Sequence, residues 1–287
     1  MAMALFAKKV DLRGWDELCT FVKKLPSVQI FRGLSDFKKH DKVEISSSFD
    51  REIREARIRG GSARLSYERQ ILYDFKRRAH HYLTSEALPK PEDFLEWFGL
   101  MRHWGVPSRL VDFSYSFFVA TYFAISGARN DAAVLCVDHT WVKGLVDELV
   151  QDGEYFQNPA TFWNYAVKPE LGRRGMVVPV RPFRSNDRVH AQQGLFLCPT
   201  DVTRTFDENI RQMVDPRTAS KRIIKLKIRK SVHREILAEL RKMNISYETL
   251  YPGLEGFAKS MKDAFTLPLR PLDKDLAEEL LSETPKF

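Results

Sequence analysis

An α+β fold in a single domain is the architecture this sequence predicts, on three observations. Short apolar or alternating runs of strand length recur along the chain: Val28–Gly33, Ala132–Asp138, Met176–Arg181, Gly194–Cys198 and Arg222–Ile228. Between them lie stretches whose apolar residues repeat at helical spacing. No repeat, low-complexity tract or linker-like composition separates the 287 residues into parts, a length that one large core can serve.

In chain order, residues 10–25 read as a helix with Trp15, Leu18, Phe21 and Val22 on one face. Val28–Gly33 is a strand that places Arg32 at its end, before a glycine turn. Gly60-Gly61 breaks the chain, and Leu65–Leu83 follows as an amphipathic helix with Ile71, Leu72, Phe75, Ala79, Tyr82 and Leu83 inward. Phe94, Leu95, Phe98 and Met101 mark another helix. It runs into the densest block of the chain, Met101–Ala124. There Gly105 and Pro107 stiffen a turn. Arg109–Phe113 reads as a short strand, with Arg109 and Asp112 expected to pair with each other. Ser116 is placed to cap a helix carrying Phe117, Ala120, Phe123 and Ala124. A strand, a polar corner and a helix in succession can hold ligand-binding groups at a sheet end. Residues 140–150 are expected to be helical and Met176–Arg181 an edge strand because of Pro179. In Arg222–Ile228, Ile224, Leu226 and Ile228 alternate with Lys225 and Lys227. Ser231 begins a helix to about Met243, and Tyr251–Gly256 turns into a last short one.

Composition bounds the function. The apolar fraction is 44% and the charged fraction 29%, values of a globular protein. No apolar run approaches the ~18 residues of a membrane helix, and the opening Met1–Lys9 does not have the form of a secretory signal. A cytoplasmic protein without a membrane partner is the expectation. Cys19, Cys136 and Cys198 lack metal-type spacing and read as structural thiols; no metal is expected, since the adjacent His80 and His81 point to different helix faces. The net charge is +8 and uneven. Lys221–Arg234 holds seven Lys or Arg and no acid, and Arg51–His81 holds nine against four acids, whereas Asp273–Phe287 is acidic. A polyanion suits such surfaces, nucleic acid ahead of membrane. Lys221, Arg222, Lys225, Lys227 and Arg229 are the expected contacts.

Several motifs in a fixed order then point to a family. Phe31-Arg32-Gly33, His103-x-Gly105-x-Pro107-Ser-Arg109-Leu-x-Asp112-Phe-Ser114, Tyr122-Phe123-Ala124, Arg188-x-x-Ala-Gln192-Gln193-Gly194 and Leu250-Tyr-Pro252-Gly-Leu-Glu-Gly256 resemble the FRG domain. The resemblance spans residues 25–265, leaving 1–24 as an N-terminal helical segment and 266–287 as an acidic tail. The same residues also resemble the Arg–Ser–Glu arrangement of ADP-ribosyltransferases. That likeness implies a split β-sheet core and NAD as the cofactor. It gives Arg32 to NAD phosphate or ribose, Ser114 to the nicotinamide site and Phe123 to the core behind it. Gln193, or Gln192, falls where that family has a catalytic Glu. Gly33, His103 and Arg109 join the expected cofactor contacts, and Asp112 or Glu154 is the carboxylate that could replace the missing one. The activity so implied is mono-ADP-ribosylation of nucleic acid, RNA ahead of DNA. The setting would be that of a toxin or anti-phage effector, with an acidic antitoxin as a partner. Two other readings stay open: a non-catalytic nucleotide or nucleic-acid sensor, and an NAD hydrolase.

Overall fold

The computed structural model describes residues 8–25, 28–38, 45–150, 156, 158–168, 175–182 and 187–262. Glu154 and the acidic tail lie outside them.

Strand β1 (Lys8–Leu12) precedes helix α1 (Trp15–Lys23), and β2 (Gln29–Leu34) follows. Helices α2 (Ser48–Glu55), α3 (Gly61–Ala79) and α4 (Phe94–His103) lead to β3 (Val111–Ser114), α5 (Phe117–Ile125), β4 (Ala132–Asp138) and α6 (His139–Leu149). Then come α7 (Pro159–Phe162), β5 (Val177–Val180), α8 (Asp187–Ala191), β6 (Gly194–Pro199), α9 (Phe206–Met213) and α10 (Pro216–Arg222). The order closes with β7 (Ile223–Ile228), α11 (His233–Lys242), α12 (Tyr247–Leu250) and α13 (Leu254–Ser260). Among the described residues the strands form one open seven-stranded sheet, in the order β1-β7-β4-β2-β3-β6-β5. With helices on both faces this is an α+β protein.

Local chemistry explains the best-defined elements. Ser116 accepts a hydrogen bond from the Val119 N–H and so starts α5. Ser47 and Asp50 form a reciprocal capping box at α2. Pro179 sits in β5, at the sheet edge where a missing N–H costs nothing. β4 is buried along its whole length. Its residues alternate between two cores, as a central strand covered on both faces must. Leu135 and Val137 join the core beneath α3, α4, α6 and α9, whereas Val134 and Cys136 join the core beneath α1, α5 and α11.

Three expectations are corrected here. Lys8–Leu12, read as the edge of a helix, is a strand paired parallel to β7 from Lys8↔Ile224 to Leu12↔Ile228. The N-terminal segment thereby joins the sheet. Tyr82, expected inward, lies beyond the end of α3 and is 83% exposed. The helix after Ser231 begins at His233 and has no side-chain cap.

The feature that positions the site is the junction of β2 and β3. β2 pairs with β4 over six residues, but with β3 only at Phe31↔Ser114. The sheet is therefore a four-stranded and a three-stranded part held at one point, and it parts beyond it. α5 closes the floor of the gap by pressing on β2. A Cβ placed on Gly33 would lie 2.3 Å from the Ala120 carbonyl oxygen and 2.6 Å from the Ala124 nitrogen, both backbone atoms of α5. Only glycine allows this approach. Gly33→Ala is expected to push α5 off β2 and cost about 1–3 kcal/mol. A thermal melt that matched the parent would show that the helix gives way freely.

Candidate functional site

The gap between β2 and β3 is a cleft of about 200 Å³, walled by Arg32, Arg102, Asp112, Ser114, Gln192 and Tyr251, among others. Each charged group arrives on a different element. Arg32 ends β2. Arg102 lies in the last turn of α4, Asp112 on β3 and Arg188 on α8.

Asp112 is the hub. Arg102 Nε donates to its Oδ1 at 3.2 Å and to its Oδ2 at 2.9 Å, and Arg102 Nη2 also contacts Oδ2. Arg32 Nη1 donates to the Asp112 backbone carbonyl at 2.6 Å and lies 3.8 Å from Oδ2. Burial pushes the Asp112 carboxyl up, but Arg102, Arg32 and Arg188 more than offset this and hold it below the usual carboxylate range. Burial pulls Arg102 down, but Asp112 more than offsets this and raises it; Arg32 and Arg51 have no such surplus. Burial pulls Arg32 down, Asp112 opposes, and Arg102 and Arg51 pull it further, to about 10, which still leaves a cation at neutral pH. Burial and the neighbouring Arg102 also lower Arg51, on α2. Several arginines thus crowd one carboxylate, and the field in the cleft is positive.

The opposite wall is aromatic and amide. The Arg188 guanidinium lies over the Tyr251 ring, 4.3 Å from its centroid, and Nη2 donates to the phenol oxygen at 3.3 Å. Phe123 meets Tyr251 edge-on at 6.0 Å. It therefore lines the cleft as well as packing behind it.

Ser114 is a latch. Its hydroxyl donates to the Gln192 carbonyl at 2.7 Å and accepts from the Ser116 N–H at 2.9 Å. This joins β3, the start of α5 and the turn after α8. Gln192 Nε2 donates to the Leu250 carbonyl at 3.0 Å and fixes that turn to the C-terminal helices.

The structure separates the remaining expected residues from the cleft. Gln193 is exposed and does not line it. Its backbone is left-handed, with φ of 47°, while its N–H and carbonyl hold the turn through His190 and Tyr115. Gln192, not Gln193, lines the cleft. Arg109 pairs with Glu68 rather than with Asp112, and the two residues go to different places. Arg109 is 1% exposed; its Nε donates to Glu68 Oε1 at 2.7 Å, Nη2 contacts Oε2, and Nη1 reaches the carbonyls of Ala166, Pro199 and Thr200. That arginine is spent on the core and does not line the cleft. His103 faces a neighbouring cavity, not the cleft; burial, with Arg188 adding to it, lowers its pKa.

The basic run on β7 is corrected too. Lys225 is 1% exposed; it donates to the Phe37 carbonyl at 3.0 Å and lies over the Phe37 ring. Lys227 pairs with Asp131 at 2.9 Å, Arg222 with Asp138 at 2.9 Å, and Arg229 donates to Asp11 at 3.0 Å. Internal acids already answer most of this charge; Lys221 is exposed. Among the described residues no group of three or more His, Cys, Asp or Glu side chains is placed to hold a metal, and no helix is long and apolar enough to cross a membrane.

Sequence reasoning passed over Arg102, Arg188 and Tyr251 as site residues. For one of them a signal existed. Arg188 and Gln192 are four apart across α8, one helical turn, and so share a face.

Compared with known families, residues 27–133 match the model of the FRG domain. That segment contains Arg32, Gly33, Arg102, Asp112 and Ser114, and it ends before Arg188, Gln192 and Tyr251. No curated protein and no solved structure matches the chain.

Proposed function

We propose, on the premise that this chain carries an FRG domain, that it is an NAD-dependent mono-ADP-ribosyltransferase with nucleic acid as the acceptor. One observation carries the reading: Arg32, Arg102 and Arg188 converge on a cleft in which, among the described residues, Asp112 is the only lining carboxylate. An excess of guanidinium suits a diphosphate, which arginine binds through paired N–H donors. The rings of Tyr251 and Phe123 offer apolar faces beside that charge. At about 200 Å³ the cleft would enclose part of a dinucleotide and leave the rest at its mouth.

In this reading Arg32 and Arg102 hold the diphosphate, and Ser114 with Gln192 fixes the wall against which the nicotinamide half lies. NAD supplies a C1′–nitrogen bond that breaks with the electron pair leaving on nicotinamide; C1′ then bonds the acceptor heteroatom, whose proton passes to solvent or a base. Asp112 is the negative group placed to favour the positive charge that develops at C1′.

Labelled NAD, incubated with the protein and RNA, DNA or protein, tests the reading. Nicotinamide release and label on nucleic acid are expected, and Arg32→Ala should lower the rate about 10–100-fold by removing a charged hydrogen bond. No cleavage with any acceptor, or an unchanged rate in Arg32→Ala, would end it. A second reading, a non-catalytic nucleotide-binding module, is favoured by one detail. Both Asp112 oxygens are engaged by Arg102, which commits the carboxylate to an ion pair. That reading expects saturable binding without nicotinamide release, whereas hydrolysis would release nicotinamide with no acceptor present.

A further inference from the structure

A second cavity, about 310 Å³ and larger than the cleft, lies behind its wall. The two hollows share that wall residue by residue. Arg102 faces the cleft and His103 the cavity; Arg188 faces the cleft and Val189 the cavity. Asp112 faces the cleft, and Phe196, its partner in the β3–β6 register, faces the cavity. The cavity has apolar sides from Leu83, Leu100, Pro182 and Phe196. It carries polar groups at Glu86, Glu96 and His103, and Trp104, which also lines it, is 60% exposed.

An exposed face of arginines and aromatic residues, with Arg77 paired to Asp74, precedes these lining residues in the chain. Arg69, Tyr73 and Arg77 are exposed at four-residue spacing and so line one side of α3. Arg78, His80, His81 and Tyr82 are exposed beyond them, with Tyr73 65% and Tyr82 83% exposed. The next residue, Leu83, already lines the cavity.

We propose that this cavity receives one unpaired base of a single-stranded nucleic acid whose backbone lies along the exposed face of α3, an inference that rests on the nucleic-acid half of the reading above. The volume lies at the small end of the range for ligand pockets, about 300–1,000 Å³, enough for a base and its sugar. Apolar walls and the Trp104 ring suit a π-face, and arginines interleaved with tyrosines suit phosphates alternating with bases. A carboxylate accepts from an exocyclic amino group, the pairing glutamate makes with cytosine N4. Neutral His103 can donate or accept beside it. The flanking cations favour this occupant over an aromatic peptide side chain, which brings no run of phosphates.

The test titrates labelled single-stranded oligonucleotides, with or without one abasic position, into the full chain. Ala87 is exposed on the cavity lip, so Ala87→Trp fills the mouth without entering the core. Ala87→Trp is expected to weaken oligonucleotide binding about tenfold or more and to leave NAD binding, measured separately by dialysis, unchanged. Trp104→Ala should weaken it similarly, by loss of stacking. The abasic strand should bind the parent as weakly as the intact strand binds Ala87→Trp. Equal binding of intact strands to parent and Ala87→Trp, or of intact and abasic strands to the parent, would overturn the proposal. If NAD is never cleaved while base-dependent binding persists, the transferase reading falls and the base site stands.

Discussion

Replacing Arg109 by Met is expected to lower the melting temperature on the order of 10 °C, although this residue touches nothing in the cleft. Removing one partner of a buried ion pair costs about 3–5 kcal/mol, because the other charge stays buried and uncompensated. Each kcal/mol moves the midpoint of a domain of this size by about 2–4 °C. Here Glu68 would be left with a side chain only 5% exposed. The carbonyls of Ala166, Pro199 and Thr200 would lose a shared donor as well. Those carbonyls belong to the π-helical turn Trp163–Val167 and to the end of β6 with the residue after it, so Arg109 ties two further parts of the chain to α3. Glu68→Leu combined with Arg109→Met should recover part of the loss by removing both charges, but not the part owed to the carbonyls. Scanning calorimetry on the two single variants and the double variant measures the coupling directly. An Arg109→Met protein that melts with the parent would refute this account. If the cleft binds NAD, the variant should, below its transition, bind it as the parent does, since Arg109 lies elsewhere.

Arg109 also shows how far the sequence can be read. Its separation of three from Asp112 suggested a pair, and spacing alone argues otherwise. Side chains alternate faces along extended chain, so an odd separation sends them to opposite sides. Partners in a sheet come from other strands and helices, and neither Glu68 nor Arg102 could be paired with these residues from local pattern. Local signals carried well where the cause was local. The Ser116 cap, the buried run of β4 and the edge position forced by Pro179 all hold. β1 was hidden because its partner is β7, some two hundred residues away. On β7 the alternation gave the correct faces but not what covers them. Phe37 lies over Lys225 and turns an expected surface charge into a buried one. Gln192 and Gln193 are indistinguishable in sequence; the left-handed backbone at Gln193 decides which one faces the cleft.

Asp112→Asn should separate binding from chemistry in that cleft. Asparagine keeps the size and the backbone carbonyl that Arg32 uses, and removes the negative charge of Asp112 among Arg32, Arg102 and Arg188. The arginine cluster then becomes more positive, so affinity for the anionic part of NAD should hold or rise. If Asp112 stabilises charge that appears at C1′ in the transition state, turnover should drop about 10²–10³-fold, the scale of losing one preorganised electrostatic group. A fall in kcat with KM unchanged or lower is the signature of an interaction made in the transition state. Gln193→Ala serves as the comparison: its side chain is exposed outside the cleft, and near-parental rates are expected. Gln192→Ala removes the bond to the Leu250 carbonyl and loosens the wall, which should raise KM more than it lowers kcat. Because Asp112 also anchors Arg102, each variant needs a melting curve beside its rates, so that a loss of activity is not confused with a loss of fold. Parental turnover in a folded Asp112→Asn would remove the carboxylate from the chemistry. Loss in Gln192→Ala alone would then move the decisive contact to the Gln192 amide.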